Sequence, residues 1–190
     1  PYNNNNTRLF YERGWCGINI DLDYHSIDFF NFVRKRDENI NIAISNDETE
    51  KDFYFFHNRS AINSLDSRRK NQAKEIRRVK TKTLNSIIEN SKFKKKKINF
   101  LSIDVEGHEY EVIKGIDLTK YKPEIILIEF INNKMRNIEF FNQNIDDITQ
   151  SVLYKHLIKN GYYFVNWLHH DLIFAHEDIR NKEKTINENY

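Results

Sequence analysis

The chain has 190 residues, of which 39% are hydrophobic, 14% aromatic and 31% charged. These values exclude a disordered chain and suit one folded domain with its own core, so we expect a single domain over residues 1–190. Thirty lysines and arginines nearly balance 28 aspartates and glutamates, which gives no reason to expect a nucleic-acid partner. No apolar run approaches the roughly 20 residues that cross a bilayer, so no membrane partner is expected.

The N-terminal half alternates helical and strand patterns. A single cysteine, Cys16, favours a reducing compartment and hence a cytoplasmic protein, and its place at a strand start predicts a small buried thiol. Ser26 is predicted to cap a helix. The predicted elements are a helix at 7–12 ending before Gly14, a strand at 15–22, a helix at 27–36, strands at 39–44, 52–57 and 79–83, and a helix at 84–90.

The central segment contains two apolar runs that each end in carboxylates. Residues 99–105 read as a buried strand with Asp104 and Glu106 at its carboxyl end, and Gly107 breaks it. A helix over 109–116 follows, and a second buried strand over 125–128 ends at Glu129. Strand, helix and strand form a βαβ unit, and ligands bind in the crevice outside the carboxyl ends of such strands.

The C-terminal part predicts a helix and a hairpin. Apolar spacing indicates a helix over 147–160 that Gly161 terminates. Strands at 162–168 and 172–176 are separated by a short polar turn, which predicts an antiparallel hairpin with His169 and His170 exposed in the turn. The class is therefore α/β.

Three collinear segments resemble one protein family. DVEGHE at 104–109, followed by VIKG at 112–115, is similar to the central signature of the FkbM family of S-adenosylmethionine-dependent methyltransferases. NTRLFYERGWCGINID at 6–21 resembles that family's Asn-Thr to Gly-Trp segment, and residues 34–45 resemble its next strand.

The resemblance implies a fold and an activity. The fold is a Rossmann-like methyltransferase three-layer sandwich with a mostly parallel sheet and a C-terminal antiparallel hairpin. The implied enzyme uses S-adenosyl-L-methionine to methylate a hydroxyl of a sugar, glycan or secondary metabolite. The family's first strand and glycine loop have no counterpart here, so we expect a chain cut just after that loop, which as a fragment could be inactive.

Three residues are candidates for binding the nucleoside of this cofactor. Asp21 follows the second strand of the family pattern, where a carboxylate accepts hydrogen bonds from ribose hydroxyls. Ile44 and Ser45 end the next strand, where Ile44 would offer adenine an apolar face. The alternatives are an ordinary turn aspartate for Asp21 and simple strand burial for the other two.

Asp104, Glu106 and His108 are the catalytic candidates, with Asp104 also near the sulfonium and amino-acid end of the cofactor. Residues two apart on a strand share a face, so the carboxylates of Asp104 and Glu106 would repel. One could then act as a base, both could bind a divalent cation, or backbone amides could hold them apart; no metal ligand is assigned. His108 is alternatively a solvated first-turn residue, and Glu109 is expected to cap the helix N-terminus.

Two other functions remain open. Asp21 and Asp23 form a D-x-D pattern, which in a sugar-nucleotide glycosyltransferase holds a metal and a diphosphate. That pattern leaves the acidic residues of the central segment unexplained. A non-catalytic Rossmann-like module is the third possibility. Under the methyltransferase interpretation, Glu129 lies at a strand tip that could line the pocket for a small-molecule or glycan acceptor.

Overall fold

The computed structural model of the chain describes residues 5–58, 60, 62–130 and 144–179. The chain divides into two compact units. The first consists of Pro1–Lys96 and Glu111–Ile116, and the second of Lys97–Tyr110 and Asp117–Tyr190. The expectation of a single domain over 1–190 stays a prediction.

The first unit combines short helices with two small sheets. Strands β1 and β2 pair in parallel. Strand β5 lies between β3, with which it is parallel, and β4, with which it is antiparallel. The elements are α1 (Arg8–Glu12), β1 (Ile18–Asp21), α2 (Tyr24–Val33), β2 (Glu38–Asn41), β3 (Ala43–Ile44), β4 (Glu50–Phe55), a 3-10 turn (Ser67–Arg69), β5 (Glu75–Lys82) and α3 (Leu84–Asn90).

Side-chain caps fix where two of these helices begin. Thr83 accepts a hydrogen bond from the Ser86 amide at 3.1 Å, and α3 has the predicted bounds. The predicted Ser26 cap of α2 is wrong. Asp23 caps that helix by accepting from the His25 amide at 3.2 Å, and the Ser26 hydroxyl donates to Asp23. The helix therefore starts three residues earlier than predicted because a better-placed carboxylate precedes Ser26.

Helix α4 (Glu109–Lys114) runs from the second unit into the first. Its apolar positions behave as predicted, since Val112, Ile113 and Ile116 are all buried. Gly115 follows the helix, and a Cβ atom at this position would lie only 2.5 Å from the backbone oxygen of Ser45. Glycine is needed here because two backbones approach closely.

The second unit is built on one four-stranded sheet with the order β6-β7-β9-β8. Strands β6 and β7 are parallel, whereas β7 and β8 both pair antiparallel with β9. The predicted parallel strand pair and C-terminal hairpin are thus confirmed. The elements are β6 (Phe100–Ile103), α5 (Leu118–Tyr121), β7 (Ile125–Glu129), α6 (Ile145–Thr149), α7 (Val152–Lys159), β8 (Tyr162–Leu168) and β9 (Asp171–His176).

The core of the second unit lies on the central strands and the helices before the hairpin. Its fully buried side chains are Ile126, Ile128, Ile148, Leu157, Leu172 and Phe174. The single helix predicted over 147–160 is two helices. Ser151 accepts from the Tyr154 amide at 3.1 Å and so starts α7 afresh. Gly161 ends α7 as predicted, with a positive φ of 82°.

The mixed α/β class is confirmed, but a single mostly parallel sheet is not. In the described ranges the sheets are small, and the largest joins one parallel pair to two antiparallel pairs. Cys16 is exposed, so its predicted burial is wrong. None of the helices that the structure describes is long and apolar enough to cross a bilayer.

Candidate functional site

Two parallel strand ends bring acidic side chains together in the second unit. Ile103 at the end of β6 pairs with Ile128 in β7, so the residues that follow, Asp104 and Glu129, are neighbours. Asp104, Glu106 and Glu129 each place a carboxylate oxygen within 4.8 Å of the others. We call these three residues the acidic cluster. The acidic residues that follow β6 and end β7 therefore lie together in the second unit.

A left-handed turn brings Glu106 into the acidic cluster. Strand β6 ends at Ile103, two residues before its predicted end, so Asp104 and Glu106 do not share a strand face. The earlier geometric reason for their proximity is therefore wrong. Glu106 has φ 57° and Gly107 has φ 100°, a backbone conformation that is unfavourable for a residue with a side chain.

Glu109 binds the backbone of this turn. One oxygen of its carboxylate, Oε1, accepts hydrogen bonds from the Val105 amide at 3.1 Å and the Gly107 amide at 2.9 Å. The residue is only 6% exposed. Burial raises the pKa of its carboxyl group, and the backbone N–H donors act in the opposite direction. Glu109 thus satisfies amides just before α4, which is close to its expected role as an N-terminal cap.

Asp171 is a site residue that the sequence did not identify. It begins β9 and lies opposite Glu129 in the sheet register. Burial and the charge of Asp104 raise its pKa, whereas His170 and His169 lower it. Both histidines are exposed, as predicted. The second strand of the predicted hairpin began one residue later, at position 172. The only sequence signal for Asp171 was therefore a carboxylate at the edge of the predicted turn.

Among the carboxyl groups of the site, that of Glu129 has the pKa furthest from its ordinary value. Burial raises its pKa to about 8, with further contributions from the charges of Asp104, Glu106, Glu109 and Asp171. Its Oε2 atom is buried and has no hydrogen-bond partner among the described residues. An unpaired buried acceptor is costly, so this oxygen favours a proton or a cationic ligand.

Asp104 and Glu129 act as a pair. Asp104 is an exposed residue, but the carboxyl group that it directs towards Glu129 is partly desolvated. This desolvation raises the pKa of Asp104, while a hydrogen bond to Glu129 lowers it. Two carboxyl groups so close cannot both ionise freely, and they titrate together. Near neutral pH, the pair can hold one proton and one negative charge.

The acidic cluster suits three kinds of chemistry. Its ionised members can accept a proton from a bound hydroxyl group. Its net negative charge can hold an organic cation such as an ammonium or a sulfonium. Three convergent carboxylates also provide the oxygen ligands that a divalent cation prefers. Glu106 belongs to the acidic cluster, and His108 follows the same turn along the chain. The acid and base roles of both residues stay predictions.

The predicted nucleoside-binding residues belong to the first unit. Asp21 ends β1, and its Oδ1 accepts from the Asp23 amide at 2.8 Å. Burial raises the pKa of Asp21 more than this hydrogen bond lowers it. Ile44 is half-buried, whereas Ser45 is fully buried and its hydroxyl donates to Asn46 at 3.1 Å. The cofactor roles of Asp21, Ile44 and Ser45 stay predictions.

Comparison with known families agrees with this chemistry. The family model described as the methyltransferase FkbM domain matches residues 1–158. The chain therefore belongs to the FkbM methyltransferase family. We found no match among curated proteins or among solved structures.

Proposed function

We propose that this protein uses S-adenosyl-L-methionine to methylate a hydroxyl group of a sugar, glycan or secondary metabolite. Family membership supports methyl transfer at the level of the family. The observation that carries the specific proposal is the acidic cluster, in which the buried Glu129 Oε2 has no hydrogen-bond partner within the described ranges. We further propose that the enzyme is cytoplasmic. We also propose a Rossmann-like sandwich, a fold that the parallel strand pairs and the C-terminal hairpin support.

The charge of the cofactor fits the acidic cluster. S-adenosyl-L-methionine carries a sulfonium and an ammonium group, and it supplies a methyl group bound to the positive sulfur. Asp104 offers the opposite charge, and Glu129 Oε2 is an acceptor that has no hydrogen-bond partner among the residues that the structure describes. Asp21 stays our proposed acceptor for the ribose hydroxyls.

The residues of the site would handle the proton of the acceptor. If the hydroxyl oxygen bonded to the methyl carbon as the bond from that carbon to the sulfonium sulfur broke, S-adenosylhomocysteine would be the leaving group and the hydroxyl proton would need an acceptor. A carboxylate oxygen of Glu106 or a ring nitrogen of His108 receives that proton in our proposal. In this proposal, Glu129 would keep its proton below about pH 8 and donate a hydrogen bond to Asp104, whose ionised carboxylate would face the positive charge.

A sugar-nucleotide glycosyltransferase is less well supported. Its D-x-D motif would need both Asp21 and Asp23 for a metal. The Asp23 carboxylate instead caps α2 and accepts from His25 and Ser26, and Asp21 accepts from the backbone of Asp23. Local structure thus already uses both side chains.

Calorimetric titration of the full chain separates these functions. We expect binding of S-adenosyl-L-methionine and S-adenosylhomocysteine, and no binding of a UDP-sugar with Mn²⁺. A chain that ignores both adenosyl compounds would contradict the proposal. A labelled-methyl screen over glycans and small hydroxylated molecules then identifies the acceptor.

The pH dependence of that binding tests the acidic cluster itself. A bound cation stabilises ionised Glu129, so wild-type affinity should rise through about pH 8 relative to Glu129→Gln. The ratio of the two affinities cancels the titration of the cofactor's own amine. A ratio that is constant from pH 6 to pH 9 would place the cation elsewhere.

A further inference from the structure

We propose that Glu109 is a positioning residue that holds the turn after β6 in the shape that assembles the acidic cluster. The expected effect of Glu109 on the affinity for the methyl donor rests on the proposed function. The expected effect of Glu109 on the backbone of the turn is independent of that function.

The Glu109 carboxylate accepts hydrogen bonds from one short stretch of backbone. A single carboxylate oxygen accepts from the amides of Val105 and Gly107, the residues on both sides of Glu106. The side chain is buried, so the two hydrogen bonds are shielded from competing water. Glu109 begins α4, which gives it a fixed backbone from which to reach the turn.

We call these two hydrogen bonds the clamp. The turn needs the clamp because the backbone conformation of the turn is intrinsically unfavourable. Glu106 has a φ of 57°, and residues with a Cβ atom avoid this region unless surrounding contacts impose it. The unfavourable residue carries one of the three carboxylates of the acidic cluster. Without the clamp, Glu106 is expected to relax to a negative φ, and its carboxylate would leave Asp104 and Glu129.

Glutamine at position 109 should preserve the clamp. The amide oxygen of glutamine can replace Oε1 as the acceptor for both backbone amides, whereas alanine removes this acceptor from both. Comparing Glu109→Gln with Glu109→Ala therefore separates loss of charge from loss of position. Glu111→Ala is the matched control, because Glu111 lies on the same helix and pairs instead with Lys114 at 2.7 Å.

Backbone NMR of the full chain provides the direct test. In wild type and Glu109→Gln, we expect slow hydrogen exchange at the Val105 and Gly107 amides and a coupling constant at Glu106 that reports positive φ. In Glu109→Ala, protection should fall at least about tenfold and the positive φ should be lost. Affinity for S-adenosyl-L-methionine, titrated into the same samples, should fall about tenfold in Glu109→Ala only.

Each outcome bears on one proposal. Unchanged protection and φ in Glu109→Ala would overturn the positioning role. Fast exchange of both amides in wild type would do the same without any variant, which matters if the alanine variant does not fold. Loss of the clamp in alanine and its retention in glutamine, in a protein that never binds the adenosyl compounds, would support the positioning role and contradict the proposed function.

Discussion

Two strand ends in this protein carry acidic residues at the same spacing, but they use them differently. After β1, the carboxylates of Asp21 and Asp23 accept hydrogen bonds from nearby backbone amides, and Asp23 starts a helix. After β6, Asp104 and Glu106 meet Glu129 from the next strand, and the part of the chain that the structure describes offers no partner to the buried Glu129 Oε2. The spacing of the acids does not decide their role. The neighbouring strand does.

The largest expected effect concerns Asp104. Replacing it by asparagine removes the negative partner of Glu129 without changing the shape of the side chain, so methyl transfer should fall by at least about 100-fold. The measurement is incorporation of labelled methyl into any acceptor found in the screen, with thermal unfolding to verify the fold. Asp23→Asn is the control at the other strand end. Equal losses of methyl transfer in both variants would contradict the proposed difference between the two strand ends.

Asp21 should show a smaller effect, on binding alone. Asparagine at this position weakens the proposed hydrogen bonds to both ribose hydroxyls, so affinity for S-adenosyl-L-methionine should fall about tenfold. Calorimetry provides the measurement, and S-adenosylhomocysteine should show the same loss because it carries the same ribose. If affinity is unchanged, Asp21 serves only the turn before α2.

Glu129 should make stability depend on pH. Its pKa is about 8 in the folded protein against 4.5 for an ordinary glutamate, so the folded state binds the extra proton between these values. The free energy of unfolding should therefore fall as pH rises from 4.5 to 8, by up to about 1 kcal/mol per pH unit, since Glu129 is partly exposed. Urea unfolding of wild type and Glu129→Gln at several pH values measures the difference.

The control for this experiment is Glu177→Gln, because Glu177 is an exposed carboxylate directly after β9. Its unfolding curve should follow that of wild type at every pH. Should Glu129→Gln also track wild type from pH 5 to pH 9, Glu129 would not be the raised acid.

The smallest effect is expected at Asp23. Alanine removes the N-terminal cap of α2 and should cost about 1 kcal/mol, or about 2–4 °C in Tm. Binding of the adenosyl compounds should not change. Asp23→Asn should restore most of the stability because asparagine also caps helices well. A large loss of that binding in Asp23→Ala would show that Asp23 does more than cap α2.

Local signals in the sequence predicted the parts of the fold that local interactions determine. Helix α3 has its predicted bounds because Thr83 supplies a cap, and the parallel β6–β7 pair follows from two apolar runs joined by a helix. The meeting of Asp104 with Glu129 could be predicted for the same reason. Residues that follow paired parallel strands are neighbours wherever the strands end.

Features that depend on pairing or on backbone strain could not be predicted in this way. Asp171 joins the site because β9 lies beside β7, and no local pattern gives that strand order. The left-handed Glu106 interrupts a sequence that otherwise suits a strand up to Val105. The buried Glu109 carboxylate, which follows the turn, accepts from the Val105 and Gly107 amides and so supports this early end of the strand.

The glycine of the VIKG segment has a consequence for engineering. Any side chain at Gly115 would have to push back the main chain of Ser45, at the end of β3, because their separation leaves no room for a methyl group. The main chain can therefore approach the end of β3 this closely only with glycine at position 115. Replacing Gly115 would displace the backbone of Ser45, one of the residues proposed to bind adenine.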